Sequence, residues 1–318
     1  GDGTAEKAAR RLGVMGYLNI AILKDGNPSW GASGFEVFQG VNVPSKAFGE
    51  VVEHQANTPR IPAEELKKMM ERDANMVIVD GRTPAEHNRM SIPGGISLPN
   101  AEMAFRIHEI APDPNTTIVV NCAGRTRSII GAQGLINAGV PNRVVALKAG
   151  TMGWTLAGFE LEHDSKLTYP ENMTEKGLEV AARYSEVLLD RFAIPTVDPD
   201  MLAKWRVDKT RTLFLLDVRS EAEYSAGHLP GAIHAPGGQL VQATDAWCGV
   251  WGARIVLVDT MPYARAAITA HWLRQMGWEV HVLAGLEDSA ETRMQLAPPA
   301  EKPDQETISY SELSSAIE

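Results

Sequence analysis

The sequence predicts an α/β fold made of tandem units, each with a mainly parallel sheet, and two observations predict it. Along most of the 318 residues, short runs rich in Val, Ile and Leu alternate with segments of helical periodicity. This alternation is typical of strands joined by crossover helices, which makes neighbouring strands parallel. The chain also repeats its own pattern, so the same unit is expected more than once.

Two whole copies of this unit begin alike. Each starts with a strand-like run, continues through a D-x-R-x-x-x-E motif into a helix, and reaches a Pro-Gly turn. In the first copy the motif consists of Asp80, Arg82 and Glu86, and in the second it runs from Asp217 to Glu223. The turn signals on either side predict a short, buried strand in each copy.

The second halves of the copies also match. The run I-V-V-N-C at 118–122 corresponds to I-V-L-V-D at 255–259, and each leads into a helical pattern that ends at Gly139 or Gly277. A third copy, at the start of the chain, shows only this second half. Its run N-I-A-I-L at 19–23 stands where the whole copies have their last strand.

These matches predict five segments in the chain. They are the C-terminal half of a unit at 1–57, a complete unit at 58–168, a linker helix at 169–196, a second complete unit at 197–292, and a linker with the start of a further unit at 293–318. A half unit would leave a sheet edge and an apolar face uncovered. We therefore expect a fragment of a longer protein, or completion of the half unit by another chain, for example in a homo-oligomer. The alternative is a degenerate extension that packs on its neighbour.

Composition excludes several classes of function. The net charge is −10, which disfavours nonspecific binding of nucleic acid, and no apolar run is long enough to cross a membrane. Cys122 and Cys248 are the two cysteines, too few for a disulfide framework. Free thiols point to a reducing compartment, so we expect a cytoplasmic protein.

The stretch V-V-N-C-A-G-R-T-R-S at 119–128 carries the chemistry. Cys122 follows a predicted strand and precedes a predicted helix, so it lies where ligands bind in open α/β folds. The N–H groups at the helix start, together with Arg125 and Arg127, favour an anion and a thiolate. Gly124 lets the loop curl around a bound atom. A buried structural cysteine is the alternative, but it leaves the two arginines unexplained.

These residues resemble the active-site loop of the rhodanese (sulfurtransferase) family. The D-x-R-x-x-x-E, I-P-G and A-G-x-x-x-W elements resemble that family's flanking motifs, and N-V-P-S-K-A-F-G-E at 42–50 is similar to an interdomain segment of bacterial multidomain rhodaneses. The resemblance implies tandem rhodanese-like domains, with helices on both faces of each sheet.

The resemblance also implies a mechanism. Cys122 would take the outer sulfur of thiosulfate or a similar donor as a persulfide, and cyanide or a thiol would accept it. No metal or organic cofactor is implied. Substrate binding would fall to the loop residues Ala123, Gly124, Arg125, Thr126, Arg127 and Ser128. Supporting roles would fall to Asp80, Arg82, Glu86 and Trp154.

The sequence also offers other candidate residues and two alternative functions. Asp259 replaces the cysteine in the second unit, which predicts a catalytically silent domain, and Cys248 is expected to be a packed thiol rather than a resolving one. His87 is expected at the surface. A sulfur-relay module fed by a partner protein is one alternative function, and a Cys-dependent phosphatase or arsenate reductase is another. The four residues between Cys122 and Arg127 disfavour the phosphatase, whose loop has five.

Overall fold

The computed structural model describes residues 3–35, 37 and 41–285, and it confirms the predicted α/β fold. The predicted start of a further unit at 293–318 lies outside the described residues. The first sheet contains β1 (Arg60–Ile61), β2 (Met76–Asp80), β3 (Ile96–Ser97), β4 (Thr117–Asn121) and β5 (Val144–Leu147). The second contains β6 (Thr196–Val197), β7 (Leu213–Asp217), β8 (Ile233–His234), β9 (Arg254–Val258) and β10 (Glu279–Leu283).

The two sheets have the same topology. Their strand orders are β1-β5-β4-β2-β3 and β6-β10-β9-β7-β8, and their strands pair in parallel. Because parallel strands end at the same edge, the loops after β4 and β9 occupy equivalent places in the two sheets.

Helices precede, flank and join the sheets. The N-terminal segment forms α1 (Thr4–Val14), α2 (Gly26–Ala32) and α3 (Val43–Ala56). The first domain contains α4 (Ala63–Glu71), α5 (Pro84–Arg89), α6 (Asn100–Ile110), α7 (Thr126–Asn137) and α8 (Gly150–Leu156). The linker forms α9 (Glu175–Arg191). The second domain contains α10 (Pro199–Val207), α11 (Glu221–Ala226), α12 (Gly237–Gln242), a 3-10 turn (Thr244–Ala246) and α13 (Ala264–Gln275).

Each sheet buries both of its faces, as the alternation of side chains along a strand requires. In β4, Ile118 and Val120 face one core with helices α6 and α7, whereas Val119 faces another with α4 and Trp154. The second sheet likewise has a core on each face. Helices therefore cover both faces of each sheet, as predicted.

The two domains pack against each other through helices. The linker helix α9 buries an apolar stripe that includes Val180, Tyr184 and Leu188. These side chains belong to the same core cluster as residues of α6 and as Ala267 and Ile268 of α13. Helix α9 lies within the segment predicted as a linker, and it packs with both domains in one cluster.

The N-terminal segment differs from the two domains. Helices α1 and α2 have no buried residues, and residues 19–23 form no strand in the described part of the chain. Leu18 and several other large apolar side chains of this segment are exposed. Its origin as a half unit stays a prediction. Across the described ranges, no helix combines the length and apolarity of a bilayer-spanning segment.

Candidate active site

Cys122 lies at the carboxyl edge of the first sheet, between β4 and α7, as the sequence predicts. It is a free cysteine, and only 1% of its surface is exposed. Asn121, which ends β4, pairs in register with Asp80, which ends β2. The Asn121 side chain also donates a hydrogen bond of 2.9 Å to the Asp80 carboxylate. The strand that carries the cysteine is therefore tied to its neighbour directly behind the loop.

The start of α8 is hydrogen-bonded to the loop that follows β4 and carries Cys122, which is called the cysteine loop below. The Thr151 N–H donates to the Cys122 carbonyl at 2.8 Å, and the Met152 N–H donates to the Ala123 carbonyl at 3.1 Å. Gly150 has a φ of +54°, and a Cβ there would lie 2.1 Å from the Cys122 carbonyl oxygen. Only glycine satisfies both the backbone angle and this close approach.

Side chains at the start of α7 and of α6 also hold the cysteine loop in place. The Ser128 hydroxyl donates to the Arg125 carbonyl at 2.9 Å, and the Asn100 side chain donates to the Arg127 carbonyl at 3.0 Å. Ser128 is buried, so its hydroxyl braces the loop backbone. Sequence reasoning expected this hydroxyl at the substrate, and the structure instead uses it within the loop.

A cavity of about 150 Å³ lies against the thiol. Its lining comes from three parts of the chain: the cysteine loop with α6 and α7, the region around the start of α3, and α12 of the second domain. The lining residues are Asn42, Ser45, Lys46, Asn100, Cys122, Arg125, Thr126, Arg127, Ile130, Gly238, Val241 and Gln242. The second domain thus forms part of the entrance, whereas the contribution of α3 had no sequence signal beyond the resemblance of 42–50.

Arg127 points from the loop to a carboxylate on α5. Its two terminal nitrogens donate to Glu86 at 2.7 and 2.8 Å, and Glu86 is itself held in a capping box with Thr83. Burial alone opposes the Arg127 charge, but Glu86, with smaller contributions from Cys122 and Asp80, raises the pKa of Arg127. The guanidinium thus lines the cavity beside Cys122 while it is ion-paired with Glu86.

Arg125 is also paired with carboxylates, in this case on α3. It bonds Glu50 at 2.7 Å, and it forms an ion pair and hydrogen bonds with Glu53. Glu53 accepts in addition from Arg60. Half of the Arg125 side chain is exposed, so this cluster lies at the rim of the cavity.

The remaining predicted residues, Asp80, Arg82 and Trp154, are buried in the framework around the cysteine loop. Arg82 makes a buried fork with Asp80, with nitrogen–oxygen distances of 2.7 to 3.1 Å, and donates to the Met90 carbonyl at 2.6 Å. Trp154 of α8 is buried in the core, and its indole N–H donates to the Glu160 carbonyl at 2.8 Å. Both observations fit the structural roles that the sequence analysis assigns to these residues.

His87 corrects a prediction. It is buried, and its Nε2 lies 2.9 Å from the Gly95 carbonyl oxygen. The expectation of a surface histidine was wrong, because α5 turns this residue towards the Pro-Gly turn that follows it.

In the second domain a carboxylate stands where the first has its thiol. Asp259 accepts hydrogen bonds from the N–H groups of Thr260, Arg265 and Ala266 at 2.8 to 3.0 Å. The Arg265 side chain adds a further bond at 2.9 Å. The start of α13 is therefore occupied by a side chain of its own loop.

Cys248 lies away from the cysteine loop. It is buried and lines a different, larger cavity of about 1070 Å³, beside Trp272 and Trp278. Burial raises the pKa of the Cys248 thiol to about 11. A thiol with this pKa is a poor nucleophile at neutral pH, which fits the packed role predicted for it.

Comparison with known proteins gives consistent matches. The family model described as Rhodanese-like domain matches residues 62–157 and 198–285, together more than half of the chain. A solved structure described as a thiosulfate sulfurtransferase from Pseudomonas aeruginosa is 46% identical, with a TM-score of 0.82. That similarity covers 100% of this chain and 60% of the other chain. A sulfurtransferase of Allochromatium vinosum is 30% identical over 101 residues, which are 32% of this chain and 92% of that protein.

Proposed function

This chain belongs to the rhodanese family, and we propose that it is a sulfurtransferase that carries sulfane sulfur as a persulfide on Cys122. The observation that carries the proposal is the position of this thiol. It lies in the loop that leads into the twelve-residue helix α7 and borders a cavity of about 150 Å³ whose described lining contains no carboxylate. N–H groups at a helix start stabilise a thiolate and an incoming anion.

In the proposed first step, the Cys122 thiolate attacks the outer sulfur of thiosulfate. A bond forms between the two sulfurs, and the bond from that outer sulfur to the sulfite group breaks. Sulfite leaves with the bonding pair, and a persulfide anion remains on the cysteine. The N–H groups at the start of α7 would stabilise this anion.

In the second step, a thiophilic acceptor removes the outer sulfur. With cyanide as acceptor, carbon attacks the terminal sulfur, thiocyanate leaves, and the Cys122 thiolate is restored. The transferred atom stays sulfane sulfur throughout, and the total charge is the same before and after each step. No oxidant or reductant is therefore needed. The steady-state rate of thiocyanate formation from thiosulfate and cyanide tests this function directly, and a rate equal to that of the buffer would contradict it.

A sulfur-relay role is the second candidate, because a partner protein could load the same thiol. The observation that favours it is the near compensation of Arg125 and Arg127 by glutamates, which weakens the attraction for a small dianion. Single-turnover loading from thiosulfate and from a persulfide-bearing protein separates the two functions. Faster loading from the protein supports the relay, and faster loading from thiosulfate supports the enzyme.

A Cys-dependent phosphatase is the third candidate, and the loop argues against it. Four residues separate Cys122 from Arg127, and the shorter ring suits a sulfur atom better than a phosphate. Hydrolysis of p-nitrophenyl phosphate at a rate dependent on Cys122 would reverse this assignment.

We further propose that the second domain is catalytically silent and serves as a wall of the site. Gly238, Val241 and Gln242 of α12 line the cavity next to Cys122, which supports this role. Two free thiols fit a reducing compartment such as the cytoplasm.

A further inference from the structure

The charges around Cys122 are distributed unevenly. Arg125 and Arg127 line the cavity, yet each directs its guanidinium to glutamates of α3 or α5. A paired guanidinium has much of its field cancelled by its partner. These arginines are therefore weak candidates for recognising an anion at the thiol.

A third cation lines the same cavity. Lys46, in the first turn of α3, is half-buried there. Across residues 3–35, 37 and 41–285, no carboxylate lies within ion-pair distance of its ammonium. Its charge is thus the least compensated of the three that border the thiol.

The backbone that carries Lys46 is anchored on both sides of the cavity. The adjacent Ser45 hydroxyl donates at 2.7 Å to the Gln242 carbonyl of the second domain. One turn further along α3, Gly49 packs directly on Thr126 of α7, where a Cβ would lie 2.7 Å from the threonine methyl. The backbone of Lys46 is therefore held in place beside the cavity, within reach of a ligand there.

We propose that Lys46 is a specificity-determining residue that binds the anionic group of the sulfur donor during attack by Cys122. The proposal rests on the sulfurtransferase function proposed above and names the charge that selects its donor. Arg125 and Arg127 then shape and brace the loop, while Lys46 neutralises the donor and the leaving sulfite. A strongly anionic small donor such as thiosulfate is the class of substrate that this arrangement selects.

The test compares Lys46→Met, Lys46→Arg and the wild type in the thiosulfate–cyanide assay. We expect Lys46→Met to lower kcat/KM for thiosulfate by about tenfold or more, mainly through KM, because one charge-assisted contact is lost. Lys46→Arg should stay within about threefold of the wild type, since it keeps the charge. Lys204→Met, on the exposed face of α10, is the matched control and should leave kcat/KM unchanged.

Ionic strength provides a second readout. Added salt should lower the wild-type kcat/KM and should affect Lys46→Met less, because screening acts on the charge that this variant lacks. Equal kcat/KM and equal salt dependence in the wild type and Lys46→Met would overturn the assignment while leaving the sulfurtransferase function intact. A wild-type protein that acquires no sulfur from thiosulfate would overturn both, and intact-protein mass separates that result from the first.

Discussion

The loop after β4 and the loop after β9 occupy the same place in two sheets of the same strand order. In the first, the Cys122 thiol borders a cavity, and in the second, the Asp259 carboxylate fills the N–H groups of its own helix start. The second loop is also longer by one residue between this position and its arginine, Arg265. An acid at this position therefore takes up the N–H groups at the start of its own helix.

The surrounding framework is the same in both domains. Arg82 forks onto Asp80, and Arg219 makes the equivalent fork onto Asp217. Each arginine also donates to a backbone carbonyl eight residues further on. The D-x-R-x-x-x-E motif is thus retained where the thiol is absent, which indicates that it serves the fold rather than the chemistry.

The arginine of the second loop has a role that its counterpart lacks. Among the described residues, Arg127 forms an ion pair with Glu86 only. Arg265 bonds Asp259, Glu223 and, across the domain boundary, Glu102 of α6. Burial opposes its charge, but these carboxylates together raise the pKa of Arg265 further above its usual value. The arginine of the loop after β9 therefore links the two domains.

The largest expected effect comes from removing the thiol at position 122 and placing a thiol at position 259. We expect Cys122→Ser to abolish sulfur transfer, and we expect Asp259→Cys in the same chain not to restore it. The new thiol would lie in a longer loop whose arginine remains tied to Glu223 and Glu102. Thiocyanate formation by the single and double variants measures this, and a recovered rate in the double variant would show that the second loop is competent.

Removal of the loop arginines should affect stability unequally. Arg265→Met leaves buried carboxylates without their partner and should lower the free energy of unfolding by about 3–5 kcal/mol. Arg127→Met leaves only Glu86, whose side chain is 39% exposed, and should lower it by about 1 kcal/mol. Urea denaturation of both variants gives the comparison, and equal losses would contradict the role of Arg265 as a link between the domains.

Gly150 and Gly285 form a matched pair of glycines with positive φ. A Cβ at Gly150 would lie 2.1 Å from the Cys122 carbonyl oxygen, whereas one at Gly285 would meet no atom of the described residues within 4 Å. Both have positive φ, so Gly285→Ala should cost about 1 kcal/mol from backbone strain alone. Gly150→Ala should cost about 1–3 kcal/mol more. It should also slow sulfur transfer by about a hundredfold, because the thiol is displaced.

Unfolding by denaturant and thiocyanate formation together test this pair. The transfer rate should drop in Gly150→Ala and remain at the wild-type level in Gly285→Ala. Equal transfer rates in the two variants would mean that the contact beneath the cysteine does not position it.

The smallest expected effect is on the pH dependence of the free energy of unfolding. Burial raises the pKa of Glu86, but the hydrogen bonds and charge of Arg127 outweigh it and lower the pKa from 4.5 to about 2. A carboxylate with a lowered folded-state pKa contributes stability above about pH 4.5, and that contribution is lost as the pH falls through about 2. Glu86→Gln should therefore flatten the acid limb of the stability curve by less than about 1 kcal/mol, since the pair is partly exposed.

Denaturation midpoints at neutral and acidic pH measure this loss. Glu223→Gln is the counterpart in the second domain, where Arg265 lowers the pKa of Glu223 to about 2 although burial raises it. An acid limb that stays unchanged in Glu86→Gln would show that the Arg127 ion pair does not contribute to stability.

Much of the fold could be predicted from the sequence, and much of the site could not. The repeat and the strand runs give both sheets and α9, because local periodicity and internal similarity report on buried elements. The partners of Arg125 and Arg127 had no such signal. Glu50 and Glu53 lie more than seventy residues before Arg125, and only tertiary packing of α3 on α7 brings them together.

The buried His87 and the lysine of the cavity were missed for the same reason. A single histidine or lysine in a loop or helix carries no periodic signal, so its surroundings depend on elements distant in sequence. The resemblance of 42–50 to an interdomain segment was the one clue that this region matters, and it did not indicate that Lys46 would reach the cavity at Cys122.

Intact-protein mass spectrometry after incubation with thiosulfate tests the central claim most directly. We expect the wild type to gain one sulfur atom, cyanide to remove it, and Cys122→Ser to gain none. No gain by a folded wild-type protein with reduced Cys122 would contradict the persulfide on this residue.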